Sequence, residues 1–136
     1  MAKQFPAPFQ AGFRLIDGSD LNNLATFDQT SSETSLTTST TQTLAAATAL
    51  TTAFTQIATA GAGTAAKLPS AAPVGSMVWI HNASGQTCQI FPPRATDTID
   101  GGSAGAKVDV GNNKRAAFMH VAFGVWLSAV MTVPST

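Results

Sequence analysis

Two histidines, one cysteine and a pair of aspartates are the side chains of this sequence best suited to chemistry. An imidazole titrates near neutral pH, so His81 or His120 would serve as a general base or a metal ligand if a partner stood at the right spacing. Each lies in an apolar run, far from the other, with no Glu or Cys at ligand-like spacing. Both therefore read as strand residues with a satisfied hydrogen-bond partner. Cys88 is the single cysteine, which rules out an intrachain disulfide and a thiolate metal site. It alternates with Ile90 and reads as a small buried hydrophobe. No Gly-x-Ser-x-Gly nucleophile motif occurs. Asp97 and Asp100 would offer oxygen ligands to a hard cation, but a calcium loop needs more carboxylates at alternating positions. Gly61-Ala62-Gly63 and Gly101 to Gly105 lack the spacing of a phosphate-binding loop and read as turns. Asn82-Ala83-Ser84 is a glycosylation sequon by letter, meaningful only in a secretory compartment that nothing in the sequence signals. The expectation is a protein that is not an enzyme, with no catalytic residues, no cofactor and no metal.

The elements that carry these residues read mostly as short strands. Residues 1–14 form an extended arm, since Pro6, Pro8 and Gly12 forbid a continuous helix. Phe5, Phe9 and Phe13 are too large to stay in water on so short a segment, so they dock either on the protein's own body or on a neighbouring subunit. With Arg14 they are the candidate interface residues. Residues 15–28 read as a short helical segment, capped by Ser19 or Asp20 and holding Leu21 and Leu24. Residues 29–136 form the body. Its Thr/Ser-rich start, 29–43, has neither Pro nor Gly and reads as strand. Residues 44–60 are ambiguous: Leu50, Phe54 and Ile57 suit a helix, whereas Thr55, Ile57 and Thr59 suit a strand. The alanine-rich 44–54 favours a short helix and 55–60 a strand, with a hairpin-like turn at Gly61 to Gly63 leading into 64–68.

Further strands are predicted at 75–81, 87–91, 106–110, 115–123 and 125–133, separated by Gly/Asn turns. Trp79 and Trp126 both fall inside strands and are expected in the core. Short strands at this spacing indicate an all-β fold, an antiparallel jelly-roll-like β-sandwich with an extended N-terminal arm and one short helix.

Composition narrows the function classes. The chain has 136 residues, 44% hydrophobic, with 7 Lys+Arg against 7 Asp+Glu. That is one domain, and its zero net charge removes the basic footprint that nucleic-acid binding requires. No window is long and apolar enough for a membrane span, so neither nucleic acid nor membrane is an expected partner. Charged residues make up 10% of the chain, where soluble domains average roughly 25%. Between Thr34 and Ala66 there is no Lys, Arg, His, Asp or Glu. A surface so poor in charge suits a chain covered by neighbours in an assembly, or an ordinary threonine-rich β-protein.

One ordered set of short motifs runs from Lys67 to Trp126: Leu68-Pro69, the strand Val74 to Asn82, Phe91-Pro92, Ile99-Asp100-Gly101, Val108 to Val110, Phe118 and Gly124-Val125-Trp126. With Arg14 to Gly18 it resembles the jelly-roll cement (decoration) proteins of tailed bacteriophages. The resemblance covers about half the chain. It implies a virion structural protein, made in the host cytoplasm and bound to the outer surface of the capsid. There it would clamp contacts between capsomers of the major capsid protein as a homo-oligomer, a dimer, with Arg14 facing a capsid carboxylate. Two other classes stay open: a phage tail or fibre component or glycan- or receptor-binding sandwich, and a small hydrolase whose partners lie apart in sequence.

Overall fold

A computed structural model describes residues 27–59 and 63–132 of the chain. These residues form ten strands and no helix: β1 Ser32–Thr37, β2 Thr48–Ala49, β3 Phe54–Thr59, β4 Thr64–Lys67, β5 Met77–Asn82, β6 Cys88–Phe91, β7 Thr98–Ile99, β8 Val108–Val110, β9 Lys114–Ala122 and β10 Val125–Thr132. The arm lies outside the described residues, as does the short helical segment up to residue 26. Phe27 and Asp28, at that segment's end, are not helical. The alanine-rich stretch 44–54 is not helical either. It makes a single turn, with the Ala47 N–H donating to the Thr43 carbonyl at 2.9 Å, and then the two-residue β2. Alanine favours helix only weakly, and packing on β4 overrides it.

The all-β class holds, but the antiparallel jelly roll does not. One sheet has six strands in the order β1-β3-β5-β9-β10-β7, the other four in the order β2-β4-β6-β8. Successive strands from β1 to β6 alternate between the two sheets, so the chain winds as a coil. β1, β3 and β5 run parallel in one wall, and β2, β4 and β6 run parallel in the other. The arrangement is a β-solenoid-like stack with mixed sheets. The direction then reverses: β8 is antiparallel to β6, β9 to β5 and β10 to β9, while β7 lies parallel to β10 at the edge. β3 and β4 lie in different sheets, and so do β5 and β6, so neither pair forms the hairpin expected of it. The predicted hairpin at Gly124 is real, with that glycine at φ +72 joining β9 to β10.

Strand alternation fills the space between the walls. Ile57, Val78, Ile80, Ala116, Phe118 and Trp126 point inward from the six-stranded sheet, meeting Ala66, Cys88, Ile90 and Val110 from the other. Trp126 and Phe118 are the largest fully buried side chains among the described residues, and truncating either would cost roughly 3–5 kcal/mol. Threonine serves inside as well as outside: Thr38, Thr55 and Thr64 are buried.

Asn82 is the polar fastening of this core. It ends β5 fully buried and donates from Nδ2 to the Gln86 and Val110 carbonyls, each at 2.7 Å. Its Oδ1 accepts from the Ser84 N–H at 3.1 Å and the Ser84 hydroxyl at 2.6 Å. One side chain thus ties the six-stranded sheet, the crossing at 83–87 and β8 of the opposite sheet. Asp100 fastens the far edge. At φ 55 it accepts from the Ser128 N–H at 2.7 Å, and its own N–H donates to Trp126, joining β7 to β10.

Candidate functional site

The ionisable side chains singled out from the sequence are dispersed through the fold. His120 points inward, its Nδ1 donating to the Ala72 carbonyl at 2.8 Å and its ring stacked on Trp126 with centroids 4.4 Å apart and planes within 4°. His81 sits on the opposite face of the same sheet, with Nδ1 3.4 Å from Gln56 Oε1. Cys88 is fully buried, and desolvation pushes its thiol up to about 11 against the counter-effect of the Thr64 hydroxyl. A thiol so placed is protonated and inert at neutral pH. Asp97 is buried and 3.8 Å from the Arg94 guanidinium, whereas Asp100 is turned onto Ser128. The two carboxylates serve different fastenings. Among the described residues no group of three or more His, Cys, Asp or Glu is gathered for a metal ion. Asn82, the sequon asparagine, has both amide hydrogens committed inside the protein. Phe5, Phe9, Phe13 and Arg14 lie outside the described residues.

What the fold does assemble is the outward face of the six-stranded sheet. In β5 the inward residues are Val78, Ile80 and Asn82, so Met77, Trp79 and His81 must face out. Backbone pairing then sets three rows across the sheet. Phe54, Trp79, Ala117 and Ala129 stand side by side in the middle row. Met77, Met119 and Leu127 form the row on one side. Gln56, His81, Arg115 and Met131 form the row on the other. The middle and Met rows carry no charge, and the one permanent charge of the three rows, Arg115, stands at the polar end.

This face is open to solvent. Phe54, Trp79, Met119 and Leu127 are 41%, 40%, 41% and 47% exposed. Large aromatic and thioether side chains lose the most by such exposure, each leaving on the order of 100 Å² in water at these fractions. The face is not flat: Ala117 and Ala129 make a trough beside the Trp79 ridge, and a depression of about 100 Å³ opens there, lined by Met77, Ala117, Met119, Leu127, Ser128 and Ala129. At the end of the β9–β10 hairpin Phe123 is 77% exposed, with the Arg94 guanidinium 4.8 Å from its ring centre.

Trp79 was expected in the core and is on the surface. Trp126 is where it was expected. The signal that separates them was present in the sequence, because Trp79 alternates out of phase with Val78 and Ile80. Both faces of β5 are apolar, however, and an apolar run reads as buried until the sheet's covering is known. Outside the strand Val74 to Asn82, whose Val74 and Trp79 are exposed, the ordered motifs from Leu68 to Trp126 supply mainly core and turn positions. Leu68, Phe91, Ile99, Phe118 and Trp126 are buried, and Asp100, Gly101 and Gly124 take positive φ at turns. They specify how the coil packs. The outward-facing rows lie largely outside them. In comparisons with protein-family models, curated proteins and solved structures, no match to this chain was found.

Proposed function

We propose that this chain is a virion structural protein, a cement or decoration protein of a tailed-phage capsid that binds the outside of the major capsid protein shell and stabilises contacts between capsomers. The observation that carries the reading is the apolar, nearly uncharged outer face of the six-stranded sheet. A protein that works free in solution keeps such a face small or interrupts it with charge, whereas an assembly component covers it. The fold supports the same role: a rigid two-walled stack fastened by Asn82 and Asp100 makes a spacer that holds its shape under load. The motif resemblance from Leu68 to Trp126 points in this direction, and the arm anchors Phe5, Phe9, Phe13 and Arg14 are its proposed capsid contacts. Repeated modest contacts over a shell sum through multivalency.

The test is to mix purified chain with undecorated capsids, pellet them and count bound copies before and after a heat challenge. Saturable binding with greater heat resistance supports the reading; absence from the pellet overturns it. A second reading has one specific observation in its favour. Trp79 is an exposed aromatic platform flanked by Gln56, His81 and Arg115, a combination suited to stacking and hydrogen-bonding a sugar in a tail, fibre or glycan-binding module. Binding of the isolated chain to a glycan array, abolished by Trp79→Ala, would favour it.

A further inference from the structure

We infer that the outward face of the six-stranded sheet is the surface on which a second copy of this chain packs, sheet against sheet, around a two-fold axis passing near Ala117. The inference rests on the assembly reading above and deepens it by assigning one face to self-association, leaving capsid contact to other surfaces.

Area is the first argument. The exposed parts of Phe54, Trp79, Met119, Val121, Leu127 and Met131 come to on the order of 500 Å², in the upper half of the range for the largest apolar patch on a monomer. With the intervening alanines, Met77 and the polar row, the face approaches the roughly 800 Å² per partner of a stable protein interface. A sugar would cover only its aromatic end and leave the Met77–Met119–Leu127 row in water.

Shape is the second. A two-fold interface must be complementary to itself, each ridge meeting a trough of the other copy. The face supplies both: Trp79 is the ridge, and the Ala117–Ala129 trough with its depression of about 100 Å³ is the recess. β9 runs between the ridge strand β5 and the trough strand β10, so an axis over β9 sets the ridge of each copy above the trough of the other. Sheets packed this way lie about 10 Å apart, the thickness of one interdigitated side-chain layer. Charge is the third. Arg115 and His81 sit together at one end, where they stay hydrated at the rim, and the centre holds no ionisable group to desolvate.

The experiment is sedimentation velocity of the full chain over a concentration series, with Leu127→Glu and Trp79→Ser as surface variants whose fold is checked by far-UV circular dichroism. Interfaces of this size span micromolar to picomolar affinity, so the wild-type chain is expected as a dimer at about 10 μM. Leu127→Glu would bury two unpaired carboxylates per dimer and is expected to weaken it by about 100-fold or more. As an independent probe, Ala117→Cys is treated with a short bis-maleimide and compared with Ser103→Cys, an exposed position off the face; buried Cys88 stays silent. Crosslinked dimer from Ala117→Cys alone supports the assignment. A wild-type monomer overturns it, and so does a dimer indifferent to Leu127→Glu. If the chain is monomeric and Leu127→Glu instead abolishes capsid pelleting, the face belongs to the capsid protein: self-packing falls and the cement reading stands. If the dimer forms through this face yet capsids are never bound, the cement reading falls and self-packing stands.

Discussion

Replacing Asn82 by alanine is predicted to be among the most damaging small changes in the protein. The substitution removes four hydrogen bonds: two from Nδ2 to the Gln86 and Val110 carbonyls and two received from Ser84. At a net value of about 0.5–1.5 kcal/mol each, with the more exposed Ser84 pair near the low end, the bonds sum to about 3 kcal/mol. The Val110 carbonyl is left buried without this donor, which adds to the loss. For a chain of this length about 3 kcal/mol lowers the melting temperature by roughly 10 °C. The assay is equilibrium urea unfolding followed by tryptophan fluorescence, at one fixed protein concentration because association shifts apparent stability. Two companions sharpen it. Asn82→Asp keeps the acceptor for Ser84 but turns a carboxylate towards two carbonyls, so it should be at least as destabilising as alanine. Ser84→Ala removes only the outer pair and should cost about 1 kcal/mol. A loss under about 1 kcal/mol for Asn82→Ala, or full stability in Asn82→Asp, would refute the claim that this amide joins the two walls.

Three further outcomes follow from local geometry. Cys88 should resist thiol reagents in the folded chain at pH 8 and react on unfolding; with its pKa raised from 9.0 to about 11, the stability it contributes is intact below the unfolded value and falls as pH rises through that window, readable in denaturant midpoints. The Thr30 hydroxyl and N–H both donate to Asp28 Oδ1 and hold that carboxyl below its usual 3.8, so its stabilising contribution is present above that value and disappears as pH falls through the lowered one. Carboxyl NMR titration should show this, and Thr30→Val should move the midpoint back up. Gly124→Ala places a Cβ 3.1 Å from Asp97 Oδ1 at φ +72 and should cost about 1–2 kcal/mol by thermal melting; an unchanged melting temperature would contradict the turn geometry.

Alternation and turn chemistry made most strand positions legible in the sequence, because a strand's period and a glycine's positive φ are local properties. β5, β6, β8, β9 and β10 fall where Val, Ile and Trp alternate between Gly/Asn breaks. Pairing partners were not legible. Asn82-Ala83-Ser84-Gly85 looks the same whether the next strand folds back beside β5 or crosses to the other wall, and the choice is made by Asn82 bonding to β8, a contact distant in sequence. That one ambiguity, repeated at Gly61 to Gly63, turns a solenoid-like coil into an expected antiparallel sandwich. The outward face is hidden in the sequence for a related reason: the strand carrying Trp79 is apolar on both faces, and only the sheet order shows that, among the described residues, one of those faces has no second sheet over it. His81, His120, Cys88, Asp97 and Asp100 stand apart in the fold, each with its own local contacts.

The most direct test of the proposed capsid role is cryo-electron microscopy of undecorated tailed-phage capsids before and after incubation with this chain. The account predicts additional density outside the shell at repeated symmetry positions, into which the ten-strand stack fits with its six-stranded sheets facing one another. Unchanged capsids, or density confined to the tail, would contradict it.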